Sequence, residues 1–253
     1  MAQSNIEWTE LTWNPVTGCN KISPGCKFCY AEVMSKRLKA MGIEKYQDGF
    51  NIRTHPNELN TPFTWKKSKI VFVNSMSDLF HPEIPSEYIK AVFNVMNQTP
   101  QHIYQVLTKR SDRLLELSSE LNWTNNIWMG VSVENEKYTY RIDELSKIAA
   151  KTKFLSIEPL IGPVKTLNLA LIDWVIVGGE SGHKARPIKK QWIDYVKNEC
   201  KKQNSAFFFK QWGKSKFNVN PNDPTINSEH PQHAKGGCEL DGEIYREMPE
   251  KAA

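Results

Sequence analysis

Six short apolar runs recur along the chain with amphipathic stretches between them, and this alternation restricts the fold more than any other feature. The runs are IVFVN (70–74), IYQVL (103–107), IWMGVSV (127–133), FLSIE (154–158), WVIVG (174–178) and AFFFK (206–210). Each is nearly continuous in apolarity and rich in Val, Ile and Phe, as strands covered on both faces are. LTWNPVT (11–17) is a weaker seventh. Helical stripes fill the gaps: Ala31, Met34, Leu38 and Met41; Ile89, Val92, Phe93 and Met96, with Ser86 as cap; Leu114, Leu117 and Leu121; Ile142, Leu145, Ile148 and Ala149; Trp192, Ile193, Val196 and Cys200. Strand starts 20 to 33 residues apart match repeated βα units joined by right-handed crossovers. The expected class is α/β, a complete or partial TIM-like βα barrel of six to seven strands. An open doubly wound sheet has the same periodicity.

The 253 residues suffice for one large core. Hydrophobic residues at 40% and charged residues at 24% are ordinary globular usage and exclude a disordered or collagenous chain. No apolar run reaches the about 18 residues that span a bilayer. The start MAQSNIEWTELTW lacks a basic segment followed by an apolar one, so the expectation is a cytoplasmic protein with reduced cysteines and no membrane contact. The formal charge is +5, with the excess of basic residues before residue 214. Residues 1–213 read as the α/β domain. Residues 214–253, with NPNDP, EHPQH and KGG, read as an irregular extension packed on it.

The segment Thr17-Gly-Cys-Asn-Lys-Ile-Ser-Pro-Gly-Cys-Lys-Phe-Cys-Tyr30 carries the chemistry. It sets Cys19, Cys26 and Cys29 in a C-x6-C-x2-C spacing between a strand and a helix, with Gly18, Pro24 and Gly25 to turn the backbone. Three thiolates suit three irons of a [4Fe–4S] cluster and leave the fourth open. S-adenosylmethionine chelates such an iron, and an electron from the cluster cleaves it to a 5′-deoxyadenosyl radical. The alternative is structural zinc, which wants a fourth ligand, for which Cys238, His230 or His233 is available. Cys200 lies on an apolar stripe and reads as core.

In a βα barrel the site gathers where the strands end, and each strand here ends in polar residues. Asn74, Ser75, Asp78, Ser132, Glu134, Glu158, Gly178, Gly179 and Glu180 are candidates for holding S-adenosylmethionine. Carboxylates accept hydrogen bonds from an ammonium group or ribose hydroxyls. They equally form ion pairs with Lys109, Arg110 or Lys210. Gly178 and Gly179 let a ligand approach the backbone. Lys109, Arg110, Arg186, Lys210, Gln211 and Trp212 are candidates for a nucleotide or nucleic-acid substrate, through phosphate contacts and a stacking ring. Lys109, Glu158 and Lys210 are the catalytic candidates. The loops would be polar without any site, so the recurrence at six strands counts for more than any one residue.

At LTWNPVTGCNKISPGCKFCYAE (11–32), VNSMSDLFH (73–81), QVLTKR (105–110), MGVSVEN (129–135), FLSIEPLIGP (154–163), WVIVGGESG (174–182), FFFKQWG (207–213) and LDGEIYREMP (240–249) the chain resembles the bacteriophage-associated three-cysteine-motif family of unknown function. That family is similar to radical S-adenosylmethionine enzymes, with spore photoproduct lyase a distant neighbour. The resemblance implies a radical-SAM-type barrel and a cluster on Cys19, Cys26 and Cys29. An electron donor such as flavodoxin or ferredoxin and a bacterial or phage-infected host cytoplasm are the matching expectations; an enzyme that works only with a separately encoded partner protein is a third alternative. Phe28, before the last cysteine, fits the radical SAM pattern. Two features depart from it: the first cysteine gap is six residues where three is common, and Asn74-Ser75-Met76 stands where Gly-Gly-Glu usually follows the second strand. The resemblance supplies no established reaction; the expected one, for a radical enzyme, is hydrogen abstraction for repair or modification of a substrate such as a nucleobase or nucleic acid. The alternative is a non-catalytic, zinc- or iron–sulfur-dependent phage protein that binds nucleic acid or protein.

Overall fold

A computed structural model describes residues 6–227, 229 and 236–249. His230 and His233 lie outside the described residues. The chain forms two packed units, Met1–Gly130 with Lys147–Lys151, and Val131–Ser146 with Thr152–Ala253. The extension 214–253 belongs to the second.

The first unit contains β1 (Leu11–Trp13), β2 (Val16–Thr17), β3 (Arg53–Thr54), β4 (Ile70–Val73), β5 (Ile103–Thr108) and the start of β6 (Ile127–Ser132). LTWNPVT thus splits into two strands at Asn14-Pro15, since Pro15 has no N–H to give a ladder. β4 lies between β1 and β5, parallel to both, with Leu11 opposite Val71 and Ile70 opposite Ile103. β2 and β3 form a separate antiparallel pair. Helices α1 (Tyr30–Ala40), α2 (Ser86–Gln98) and α3 (Ser111–Leu117) fall where periodicity puts them. In α2, Ile89, Val92, Phe93 and Met96 are all buried, each contributing about 1.5–3 kcal/mol. Ser86 is that helix's first residue and Pro85 its cap, so the expected serine cap is displaced by one position. In α1 the expected stripe is only partly internal: Ala31 and Ser35 are buried, whereas Met41 is 70% exposed.

The second unit contains the end of β6, α4 (Tyr140–Ser146), β7 (Thr152–Ile157), β8 (Trp174–Gly178), α5 (Lys190–Gln203) and β9 (Ala206–Gln211). β8 lies between β7 and β9 and is parallel to both. The strand order is β1-β4-β5-β6 in the first unit and β6-β7-β8-β9 in the second, seven strands of one sheet in a mixed α/β fold. Every residue of β6 and β8 is buried, which is why those runs show no alternation. The connection from β7 to β8 has no helix. Leu160, Val164, Leu167, Leu169 and Ile172 bury themselves from irregular backbone instead. Side chains satisfy its polar groups: Gln203 accepts from Leu169 N and donates to Leu167 O, and Ser205 Oγ donates to Ile172 O. No described helix is long and apolar enough to cross a membrane.

Candidate functional site

The cysteine loop lies in the first unit, between β2 and α1. Gly18 has φ +84°, and a Cβ there would lie 2.1 Å from Asn51 O, so only glycine fits. Its N–H donates to Met76 O at 3.1 Å, and Cys19 N donates to Phe50 O at 3.3 Å. Cys19 therefore leaves β2 held from two sides. Pro24–Cys26 form a 3₁₀ turn, closed by Cys26 N donating to Ser23 O. Cys29 is the N-cap of α1, and its side chain makes no capping bond. All three thiols are partly exposed and unbridged.

Their electrostatics differ. Burial and the Asp78 carboxylate push the Cys19 thiol up to about 12; Arg110 opposes, and Cys26 and Cys29 push further up. Burial also raises Cys26, but Lys109 and hydrogen bonds from Ile22 and Ser23 outweigh it and hold the thiol below its ordinary value. Among the described residues, no three Cys, His, Asp or Glu side chains stand as a preformed metal-binding group. The donor chemistry fits an iron–sulfur cluster all the same. The first unit holds only these three of the five cysteines, and an all-sulfur set of three matches a cluster with one open iron. Cys200 is buried, as expected for a core residue, and buried Cys238 gives its N–H to Thr225 Oγ1.

The strand-end residues of this unit brace the loop. Asn74 has φ 60°, donates from its N–H to Trp13 O, and accepts from Val16 N at Oδ1. Ser75 Oγ donates to Asn14 Oδ1, which also accepts from Met76 N. Asp78 accepts from Thr108 Oγ1 at 2.6 Å, Phe80 N at 3.0 Å and Lys109 N at 3.1 Å. Arg110 Nη1 stands 3.8 Å from Asp78, and its Nη2 donates to Asn20 O in the cysteine loop. Asn74, Ser75 and Asp78, read in the sequence as ligand contacts, make these hydrogen bonds within the chain, and the buried Asn74 Nδ2 takes no partner among the described residues. Sequence reading missed three further members. Asn14 bridges β1 to the segment after β4. Tyr30 Oη donates to Ser75 O, and Thr17 Oγ1 meets His55 Nε2 at 2.8 Å. The Asn-Pro pair at 14–15 was the one local signal, since Asn before a turn bonds backbone nearby.

In the second unit the three carboxylates each have a cationic partner. Glu134 is fully buried and accepts from Arg141 Nη1 at 3.1 Å; the same nitrogen donates to Ser132 O at 2.7 Å. The Arg141 guanidinium lies 4.5 Å over the Tyr138 ring. Glu180 accepts from Arg186 N at 2.9 Å and Nε at 2.8 Å. Glu158 pairs with Lys210 at 3.2 Å. Of the pairings expected with Lys109, Arg110 or Lys210, the structure forms the one between Glu158 and Lys210. Gly178 and Gly179 serve close approach within the chain: a Cβ would lie 2.5 Å from Glu158 Oε1 at the first and 2.3 Å from Trp212 O at the second. Gln211 Nε2 donates to Gly179 O. Trp212 is fully buried against Phe209 and gives its ring N–H to Glu239 O. The expected stacking face is therefore a core side chain.

No curated protein and no solved structure matches the chain. One family model does, over residues 3–249. The chain therefore belongs to the family described as "Protein of unknown function (DUF5131)".

Proposed function

We propose that this chain is a radical S-adenosylmethionine-type iron–sulfur enzyme that repairs or modifies a nucleobase or nucleic acid, on a sheet that is part of a βα barrel. The observation that carries the reading is the all-sulfur loop: three thiols on one short segment, anchored by backbone bonds, with no other cysteine in the unit. When bound there, a [4Fe–4S] cluster would supply an open iron for S-adenosylmethionine and an electron to release a 5′-deoxyadenosyl radical.

The chain's own residues have separate tasks in this reading. Cys19, Cys26 and Cys29 are the ligands. Lys109 acts on Cys26 and favours its thiolate, the form that binds metal. Arg110 reaches the loop at Asn20 O, and Asp78 holds the segment that carries Arg110. Among the carboxylates, Glu134 is committed to Arg141 within the core. Glu158 and Glu180 of the second unit pair with the partly exposed Lys210 and Arg186. The one-electron donor would be a flavodoxin or ferredoxin, and a second, separately encoded protein would complete the system.

The test is anaerobic incubation of reconstituted protein with S-adenosylmethionine and dithionite. The expected product is 5′-deoxyadenosine, lost in Cys26→Ala. A brown, iron-loaded protein that released none would overturn the enzymatic reading. A colourless zinc protein that unfolds on chelation would support the non-catalytic binding protein instead.

A further inference from the structure

We propose that the second unit carries a phosphate-binding pocket formed by Gly182–His183, Gly213–Lys216 and Asn227. The cavity measures about 480 Å³, within the range of small-ligand sites. Among the described residues its lining includes two lysines, a histidine, a serine and an asparagine, and no acidic residue. Segments 178–186 and 212–217 contain one acidic residue, Glu180, and Arg186 holds both of its oxygens. Lys214 Nζ donates to His183 O and Lys216 Nζ lies 5.1 Å over the Phe217 ring, so among the described residues neither ammonium is paired with a carboxylate. A lysine binds phosphate as a point charge, and Ser215 and Asn227 can donate to its oxygens.

The pocket is fixed by backbone packing. Gly213 has φ +88°, and a Cβ there would lie 2.3 Å from Glu180 O. At Gly236 a Cβ would come within 2.7 Å of Lys214 N. Gly179 N donates to Gln211 O at 2.8 Å and Trp212 N to Gly237 O at 3.0 Å. Lys214 Nζ donates to His183 O and so ties the two walls together. Walls set in advance cost little ordering on binding. The ligand is a phosphate ester, either a free nucleotide or the backbone of a nucleic acid. The proposal uses second-unit residues alone and does not need the cysteine reading.

Fluorescence anisotropy with a labelled single-stranded oligonucleotide tests it, with dAMP and inorganic phosphate as competitors. The double variant Lys214→Gln/Lys216→Gln should bind about tenfold more weakly with a shallower salt dependence. Ser215→Asp, which adds a carboxylate to the wall, should lose binding similarly. The exposed pair Lys201→Gln/Lys202→Gln in α5 should change it by less than about twofold. Thermal melts establish that each variant is folded. Displacement by dAMP identifies a monoester site, and lysine-dependent binding that dAMP leaves intact identifies the diester backbone. The pocket is disproved if no probe binds, or if both lysine pairs weaken binding equally, since diffuse charge then explains it.

Discussion

Asp78 and Thr108 share a 2.6 Å hydrogen bond that joins the segment after β4 to the last residue of β5, next to the cysteine loop. The same carboxylate also takes two backbone N–H groups and faces Arg110. Asp78→Ala should lower unfolding free energy by about 2–3 kcal/mol, because it leaves buried donors unsatisfied. Asp78→Asn, which keeps the shape, should cost less. Urea titrations of the two variants check the order; equal stability to the parent would show that Asp78 is not a fastener.

The Glu134–Arg141 pair should behave as a buried ion pair. Glu134→Ala or Arg141→Ala each strands a charge in the core and should cost about 3–5 kcal/mol. Replacing both by Leu or Met of similar volume should recover most of that loss. A double-mutant cycle measures the recovery, and additive losses would contradict the assignment.

His55 gives a pH dependence. Burial, then Lys45 and Arg53, hold it down to about 4, against Glu58. In the unfolded chain it titrates near about 6.5. Between these values the unfolded state binds more protons than the folded one. Stability from this residue is therefore complete above about pH 6.5 and falls as pH drops towards 4. His81 and His102 are also held below their ordinary values by burial, so they add to the slope. His55→Gln should flatten, but not abolish, the fall in stability between pH 7 and 4. An unchanged slope would mean that His55 is protonated alike in both states.

Gly18 and Gly42 both have positive φ, but only Gly18 faces backbone. Gly42→Ala should cost about 1–2 kcal/mol, from conformation alone. Gly18→Ala should cost more and should also loosen the cysteine loop, measured as a lower melting temperature and faster amide exchange at Cys19. Equal costs would show that the contact with Asn51 yields readily.

The strands were legible because β6 and β8 are buried throughout, β4, β5 and β7 over most of their length and β9 at Phe207, Phe208 and Phe209, so their apolar runs are nearly continuous. Other parts were not. Periodicity placed Met34 and Met41 in the core, yet α1 turns Ala31 and Ser35 inward, and a spacing pattern cannot say which side of a mixed helix is covered. The β7–β8 connection has no helix, and its buried leucines have no regular period. Arg141 was not picked out in the sequence, and its partner Glu134 was visible only as a strand-end acid. Trp212 adjoins two polar residues, so its place in the core depends on Phe209 and the 236–240 segment, which are remote or ambiguous in sequence. The cysteine spacing was fully legible; the Asn14, Tyr30 and His55 contacts that hold its surroundings arise from residues up to 62 positions apart.

The central claim is that Cys19, Cys26 and Cys29 hold an iron–sulfur cluster, and anaerobic quantification of iron and acid-labile sulfide tests it most directly. About four of each per chain are expected, with a broad brown absorbance, and each of Cys19→Ala, Cys26→Ala and Cys29→Ala should lose most of both. Oxygen-protected protein that contains stoichiometric zinc, or that keeps its iron in all three variants, would contradict it.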